Sequence, residues 1–157
     1  MFAARLVQLI EAHADRLSAG LVHRLKTSER CSELMHRVPA DEVDRRTREV
    51  FHNLADWLVS RTESEIEERY VGLGARRARQ GVPFSHFFWA MSMTKEFLWE
   101  YLWTEGLLEE PVELWGEIEL LHSLELFFDR ALYFAATGYE NAHRAETVHA
   151  VARVAAR

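Results

Sequence analysis

Apolar residues recur every three to four positions along nearly the whole chain, a period that predicts helices rather than strands. From Phe2 to Leu25 the positions Leu6, Ile10, His13 with Ala14, Leu17, Leu21 and Leu25 form one amphipathic face, about six turns long at ~3.6 residues per turn. A second helix follows Pro39, with Asp41 as its predicted cap and Val43, Val50, Leu54, Trp57 and Leu58 as its stripe, ending near Ser60. Thr62-Glu63-Ser64-Glu65 has the capping-box spacing and opens a shorter helix carrying Ile66, Tyr70 and Leu73. Gly72 and Gly74 weaken that helix, and Gly81 stops it after Arg76, Arg77 and Arg79. Pro83 starts a fourth helix that runs to about Glu105. Pro111 repeats the device for a last helix from about Val112, with Leu114, Ile118, Leu121, Phe128, Leu132 and Ala135 on one face.

The three prolines fall between the periodic stretches, and no alternating run suggests a strand. The expected fold is therefore all-α, a helical bundle with a long C-terminal helix. Beyond Tyr139 the large apolar residues give way to Ala142, Val148, Val151, Ala152 and Ala155, still at helical spacing. This divides the chain into a helical domain over 1–139 and an extension or linker over 140–157, suited to pairing with another helix or leading into an output domain.

Charge and composition narrow the function. The formal net charge is -6 and 48% of residues are apolar, which argues for a packed domain and against phosphate-backbone binding. The basic cluster Arg76, Arg77 and Arg79 reads as a solvated or acid-paired face, not a nucleic-acid site. Charges interrupt every apolar run before the ~18 residues a membrane span needs, and the first residues lack a signal-peptide pattern. One cysteine, Cys31, excludes an internal disulfide, and the expectation is a soluble cytoplasmic protein without cofactor. No nucleophile elbow, zinc-protease, phosphate-loop or dinucleotide motif occurs, so an enzyme is not expected.

Five of the eight histidines follow a glutamate by three residues: Glu33/His36, Glu49/His52, Glu119/His122, Glu140/His143 and Glu146/His149. Glu-x-x-His on two helices is part of the di-iron carboxylate ligand set. Here Glu49/His52 and Glu119/His122 fall off the apolar faces, so solvated pairs are the expected reading and no metal site is assigned. The alternative of another class is a di-iron or haem-binding bundle.

The fourth helix is apolar round most of its circumference. Phe84, Phe87, Met91, Leu98, Tyr101 and Leu102 make its core stripe, while Trp89, Met93 and Trp103 lie on other sides. Together with Trp99 these are candidates for a ligand pocket or a dimer contact. On the last helix Glu125 falls between Leu121 and Leu132 on the apolar face, where a largely buried carboxylate needs a donor; Lys95 or Arg77 is the candidate.

The block from Tyr70 to Ala90, with its Arg-rich helix end, the Gly81-Val82-Pro83 turn, the aromatic helix behind it and then Lys95-Glu96 and Leu98-Trp99, resembles the N-terminal domain family of RsbT co-antagonist (RsbRD-type) proteins. The likeness is most specific over 70–103 and looser from about 5 to 135. It implies a non-catalytic, all-helical sensory or regulatory module ahead of an output domain, such as the STAS domain of stressosome proteins or a histidine kinase. A signalling partner is expected on the same ground, while a homodimer, parallel or antiparallel, is expected because Trp89, Met93 and Trp103 are surplus to their helix's core stripe and the seam of small apolar residues continues past Tyr139. More distantly the block is similar to the haem region of bacterial globin-coupled sensors. Aligning on Gly81-Val82-Pro83 places Arg77 where their proximal histidine stands, and a guanidinium cannot ligate iron. That likeness implies a globin-like fold without haem.

Overall fold

A computed structural model describes residues 2–54, 56–105 and 111–157. They form seven α-helices: α1 (Phe2–Ala12), α2 (Ala14–Thr27), α3 (Ser32–Arg37), α4 (Ala40–His52), α5 (Glu63–Arg79), α6 (Phe84–Glu105) and α7 (Pro111–Ala155). A 3-10 turn spans Glu29–Cys31, a π-helical turn spans Asp56–Ser60, and there is no strand among the described residues. The core joins Ile10, Leu21, Phe51, Leu54, Val82, Leu98, Leu124 and Phe128, all essentially inaccessible to solvent.

The single first helix expected from the periodicity is two. At His13 the backbone N–H is shared between the carbonyls of Leu9 and Ile10, each at 3.2 Å, while the ring Nδ1 sits 3.0 Å from the Leu9 carbonyl oxygen. A side chain inserted into the helical ladder bends it. The second helix also departs from expectation. Pro39, not Asp41, occupies the N-cap, its carbonyl accepting from Glu42 and Val43 at 3.0 and 3.1 Å. Asp41 is consequently an exposed first-turn residue, and Glu42, one place on, turns inward. The helix stops at His52, and the π-helical turn carries Trp57 and Leu58 of the stripe.

The capping box at the start of α5 is present in both directions: Glu65 N–H donates to Thr62 Oγ1 at 3.3 Å and Thr62 N–H to Glu65 Oε2 at 2.8 Å. Its two glycines do not shorten this helix, which continues for 17 residues to Arg79. Gly81 ends the segment with φ +72, a left-handed conformation open to glycine without penalty.

Helices α5 and α7 form the closest pair in the bundle. They run antiparallel, Gly74 lying on the backbone of Ala135 and Gly138 on that of Val71. Small residues on the facing rows, with Ala78 and Ala131 beside them, remove the side chains that set an ordinary interhelical distance.

The inward face of α7 is rotated from the predicted one. Leu120, Leu124, Phe127, Phe128, Ala131, Phe134 and Ala135 are buried, whereas Ile118 is 48% exposed. Beyond Ala142 every residue to the C-terminus is exposed although the helix is unbroken through 139 and 140. No described helix is long and apolar enough to cross a membrane.

Candidate functional site

The most heavily charged interior of the protein lies between α4 and α5. Glu42 is 2% exposed, and Arg76 grips it in a two-toothed pair, Nε to Oε1 and Nη2 to Oε2, both at 2.7 Å. Arg77, 4% exposed, donates from Nη1 to Oε1 at 2.7 Å. Gln80 completes the cluster, donating to Oε2 at 3.2 Å and accepting from Arg77 Nη1 at 2.6 Å. Bonds from Arg76 first, and from Arg77 against the opposing effect of burial, hold the Glu42 carboxyl down at about 2. Farther along α4, Glu49 pairs with Arg69 and, at 3.5 Å, with Arg46.

Four guanidinium groups thus share two carboxylates in these ion pairs. Burial lowers the affinity of Arg77 and Arg46 for their protons. Both remain charged at neutral pH, because an arginine side chain does not deprotonate in a protein. Each keeps a buried Nε–H with no hydrogen-bond partner among the described residues.

Beside this cluster a partly open cavity of about 90 Å³ reaches into the core between α2, α4, α5 and α6. Arg46, Arg69 and Arg77 stand on its polar side, and Leu21, Phe87 and Phe128 are among its apolar walls. Tyr70 also lines it, its hydroxyl pushed up to about 12 by burial.

None of the candidates Trp89, Met93, Trp99 and Trp103 of α6 lines this cavity. Trp89 carries the Arg30 guanidinium 4.3 Å over its ring, and Met93 Sδ lies 3.9 Å from Cys31 Sγ. Trp99 faces α7, while Trp103 is 64% exposed near the C-terminal end of α6. The fourth predicted helix is apolar all round because it is covered on several sides, by α2, α3, the 3-10 turn and α7.

Glu125 accepts from Lys95 Nζ at 2.9 Å and from Trp99 Nε1 at 2.8 Å. Arg77 does not serve it, bound instead to Glu42. Glu125 is not largely buried: its side chain is 37% exposed, because the rotated face of α7 puts it at the margin of the core. Its carboxyl is held below its ordinary value chiefly by the Lys95 bond. Solvent weakens so open a pair, so Lys95→Met should cost no more than about 1 kcal/mol in urea denaturation. A loss several times larger would mean that the pair is shielded from water.

Glu42 and Arg46 are the residues of this site that periodicity overlooks. A signal exists in the row Glu42, Arg46 and Glu49, stepping by four and three beside the Val43/Val50 stripe, opposite Arg69, Arg76 and Arg77 on the next long helix. Of the Glu-x-x-His pairs, Glu119 is exposed and Glu49 is engaged with arginines. No group of three potential metal-ligating side chains occurs among the described residues.

The Gly81-Val82-Pro83 turn is tied to the last helix. Gly81 supplies the left-handed backbone, Val82 is fully buried, and Tyr139 Oη donates to the Val82 carbonyl at 2.7 Å. The Tyr139 and Phe84 rings meet with centroids 5.2 Å apart. The Arg-rich helix end, this turn and the aromatic helix therefore form one unit, closed by α7. Neither the curated proteins nor the solved structures give a match to the chain. The family comparison does, over residues 4–154, and on that match the chain belongs to the family described as the RsbT co-antagonist protein RsbRD N-terminal domain.

Proposed function

We propose that this chain is a non-catalytic sensory module that regulates a signalling output, of the STAS or histidine-kinase kind, by changing how two copies of α7 pair. The family supports the regulatory part of that reading. The observation that carries the rest is a single heptad seam along α7. Leu120, Leu124, Phe127, Ala131, Phe134 and Gly138 step by four and three and are buried in the bundle. The same steps continue through Asn141, Ala145, Val148, Ala152 and Ala155, which are all exposed.

A seam with this spacing is what a parallel two-stranded coiled coil buries, and a polar residue such as Asn141 at one seam position sets register. From Gly138 to Ala155 the helix projects about 26 Å at 1.5 Å per residue. Its base is held on two sides, by the α5 backbone at Gly138 and by the Val82 carbonyl at Tyr139. A small displacement of α5 or of its turn is therefore passed to the projecting segment rather than absorbed by side chains, and a domain joined to both copies would read the altered register or crossing. Trp103, at the opposite end of α6 from Phe84 and Tyr139, lies outside this seam.

Sedimentation equilibrium at micromolar concentration should give a dimer for the native chain and a monomer for Val148→Glu combined with Ala152→Glu, with the far-UV circular dichroism of the bundle kept. A monomeric native chain would remove this signalling route.

A further inference from the structure

We propose that the cavity beside the arginine cluster is a binding site for a small carboxylate, with its oxygens on the Arg46 and Arg77 guanidinium groups and its short apolar remainder against Leu21, Phe87 and Phe128. Two observations converge on it. The Arg77 side chain is 5% exposed, lines the cavity and keeps an Nε–H that no acceptor among the described residues meets. Arg46, also on the cavity wall, repeats the feature. Buried donors are nearly always satisfied, so two left unpaired on residues that line one cavity point to an acceptor from outside the chain.

The charge balance says what kind of acceptor. Arg46, Arg69, Arg76 and Arg77 are matched by Glu42 and Glu49 in their ion pairs. An anion offsets the remaining positive charge, and a carboxylate accepts charge-assisted bonds from guanidinium groups in the geometry they favour. Size sets the rest. The volume of about 90 Å³ is below that of a cavity of about 150 Å³ that takes benzene. An acid of two to four carbons fits within it. The apolar walls separate this ligand from a purely inorganic anion, which would leave them in contact with nothing it could use.

The site deepens the sensory reading above and rests on it only for what occupancy would signal, since α5 supplies both Arg77 and the surface against which α7 packs. Binding is measured independently of self-association. Sodium propionate is titrated calorimetrically into the full chain at constant ionic strength, with 1-propanol and sodium chloride as the neutral and the inorganic probes. The expected result is one saturable site per chain with a Kd below about 1 mM, and at least about tenfold weaker binding of both other probes. Arg46→Met, which keeps the stem and removes the buried donor, should weaken propionate about tenfold. Ala90→Leu, which fills the cavity from α6, should abolish binding.

Absence of saturable binding to the native chain would overturn the proposal and leave a cavity occupied by water. Equal affinity for chloride would reduce it to an unspecific basic patch, and equal affinity for 1-propanol would remove the role of the arginines. Should Ala90→Leu not fold, Arg46→Met and the probe series still decide. Sedimentation with and without propionate separates the two readings: propionate binding that leaves the dimer affinity unchanged keeps the site and defeats its sensory role.

Discussion

Gly138→Ala is expected to destabilise the bundle by about 3 kcal/mol or more, the upper end of what overpacking costs, even though alanine is the better helix former by about 1 kcal/mol. A Cβ at this position would stand 2.0 Å from the carbonyl oxygen of Val71 and 2.7 Å from its carbon. The obstacle is backbone, so no rotamer change relieves it, and α5 and α7 must separate. Separation also strips contacts from Tyr70, Phe127 and Phe134, whose burial depends on the same pair of helices. Gly74→Ala meets the Ala135 carbonyl oxygen at 1.9 Å and should behave alike. Gly72 is the internal control. It lies on α5 with nothing within 4 Å of where a Cβ would stand, so Gly72→Ala should stabilise, by up to about 1 kcal/mol. Urea denaturation of the three variants should show opposite shifts of midpoint within one helix; equal shifts would mean that the two helices are not in backbone contact.

Glu42→Leu should cost about 3–5 kcal/mol, the loss expected when one partner of a buried pair is removed and the other stays charged in the interior. Arg77 is the group left behind, since Gln80 offers it a neutral acceptor and no compensating charge. Combining Glu42→Leu with Arg77→Met should restore most of the stability, because the cost belongs to the stranded guanidinium rather than to the lost attraction. The pH dependence has a fixed sign. The Glu42 carboxyl moves from its ordinary value of 4.5 to about 2 on folding. A depressed carboxylate contributes fully above the unfolded value and loses that contribution as pH falls through the folded one. Wild-type stability should therefore drop between pH 4.5 and 2 by an amount that Glu42→Gln no longer shows. Glu33, Glu65, Glu100 and Glu125 are also depressed, but they are common to both proteins and cancel in the difference. Identical acid profiles for the two proteins would refute the buried-pair account.

The same two places mark how far a one-dimensional pattern reaches. Periodicity finds the helices because burial of one face repeats every few residues whatever the neighbours are. The capping box and the Gly81 stop are equally local, each made by atoms within a few residues of one another. The likeness over 70–103 to the family of this chain is legible for the same reason: its turn, its arginines and its aromatic helix are contiguous. What periodicity misjudges is which edge of a stripe faces inward. On α7 a rotation of about one position moves Glu125 to the margin and puts Leu120, Leu124 and Phe127 inside. Charged residues beside an apolar stripe ordinarily face water, and Glu42 is the exception that the packing of α5 on α4 creates.

Helix content, the order of the helices and most of their stops follow from the sequence by itself, since each depends on backbone geometry and on spacing along one chain. Tertiary structure alone decided which glycines are contacts and which are merely tolerated, for Gly72 and Gly74 are two residues apart on one helix and differ only in what stands opposite. It likewise decided that Arg76 and Arg77 serve Glu42, across 34 and 35 residues of chain. Such pairings carry no local signature, because the free energy of burying a charge is set by the partner that arrives from elsewhere in the fold, not by the residues that precede it.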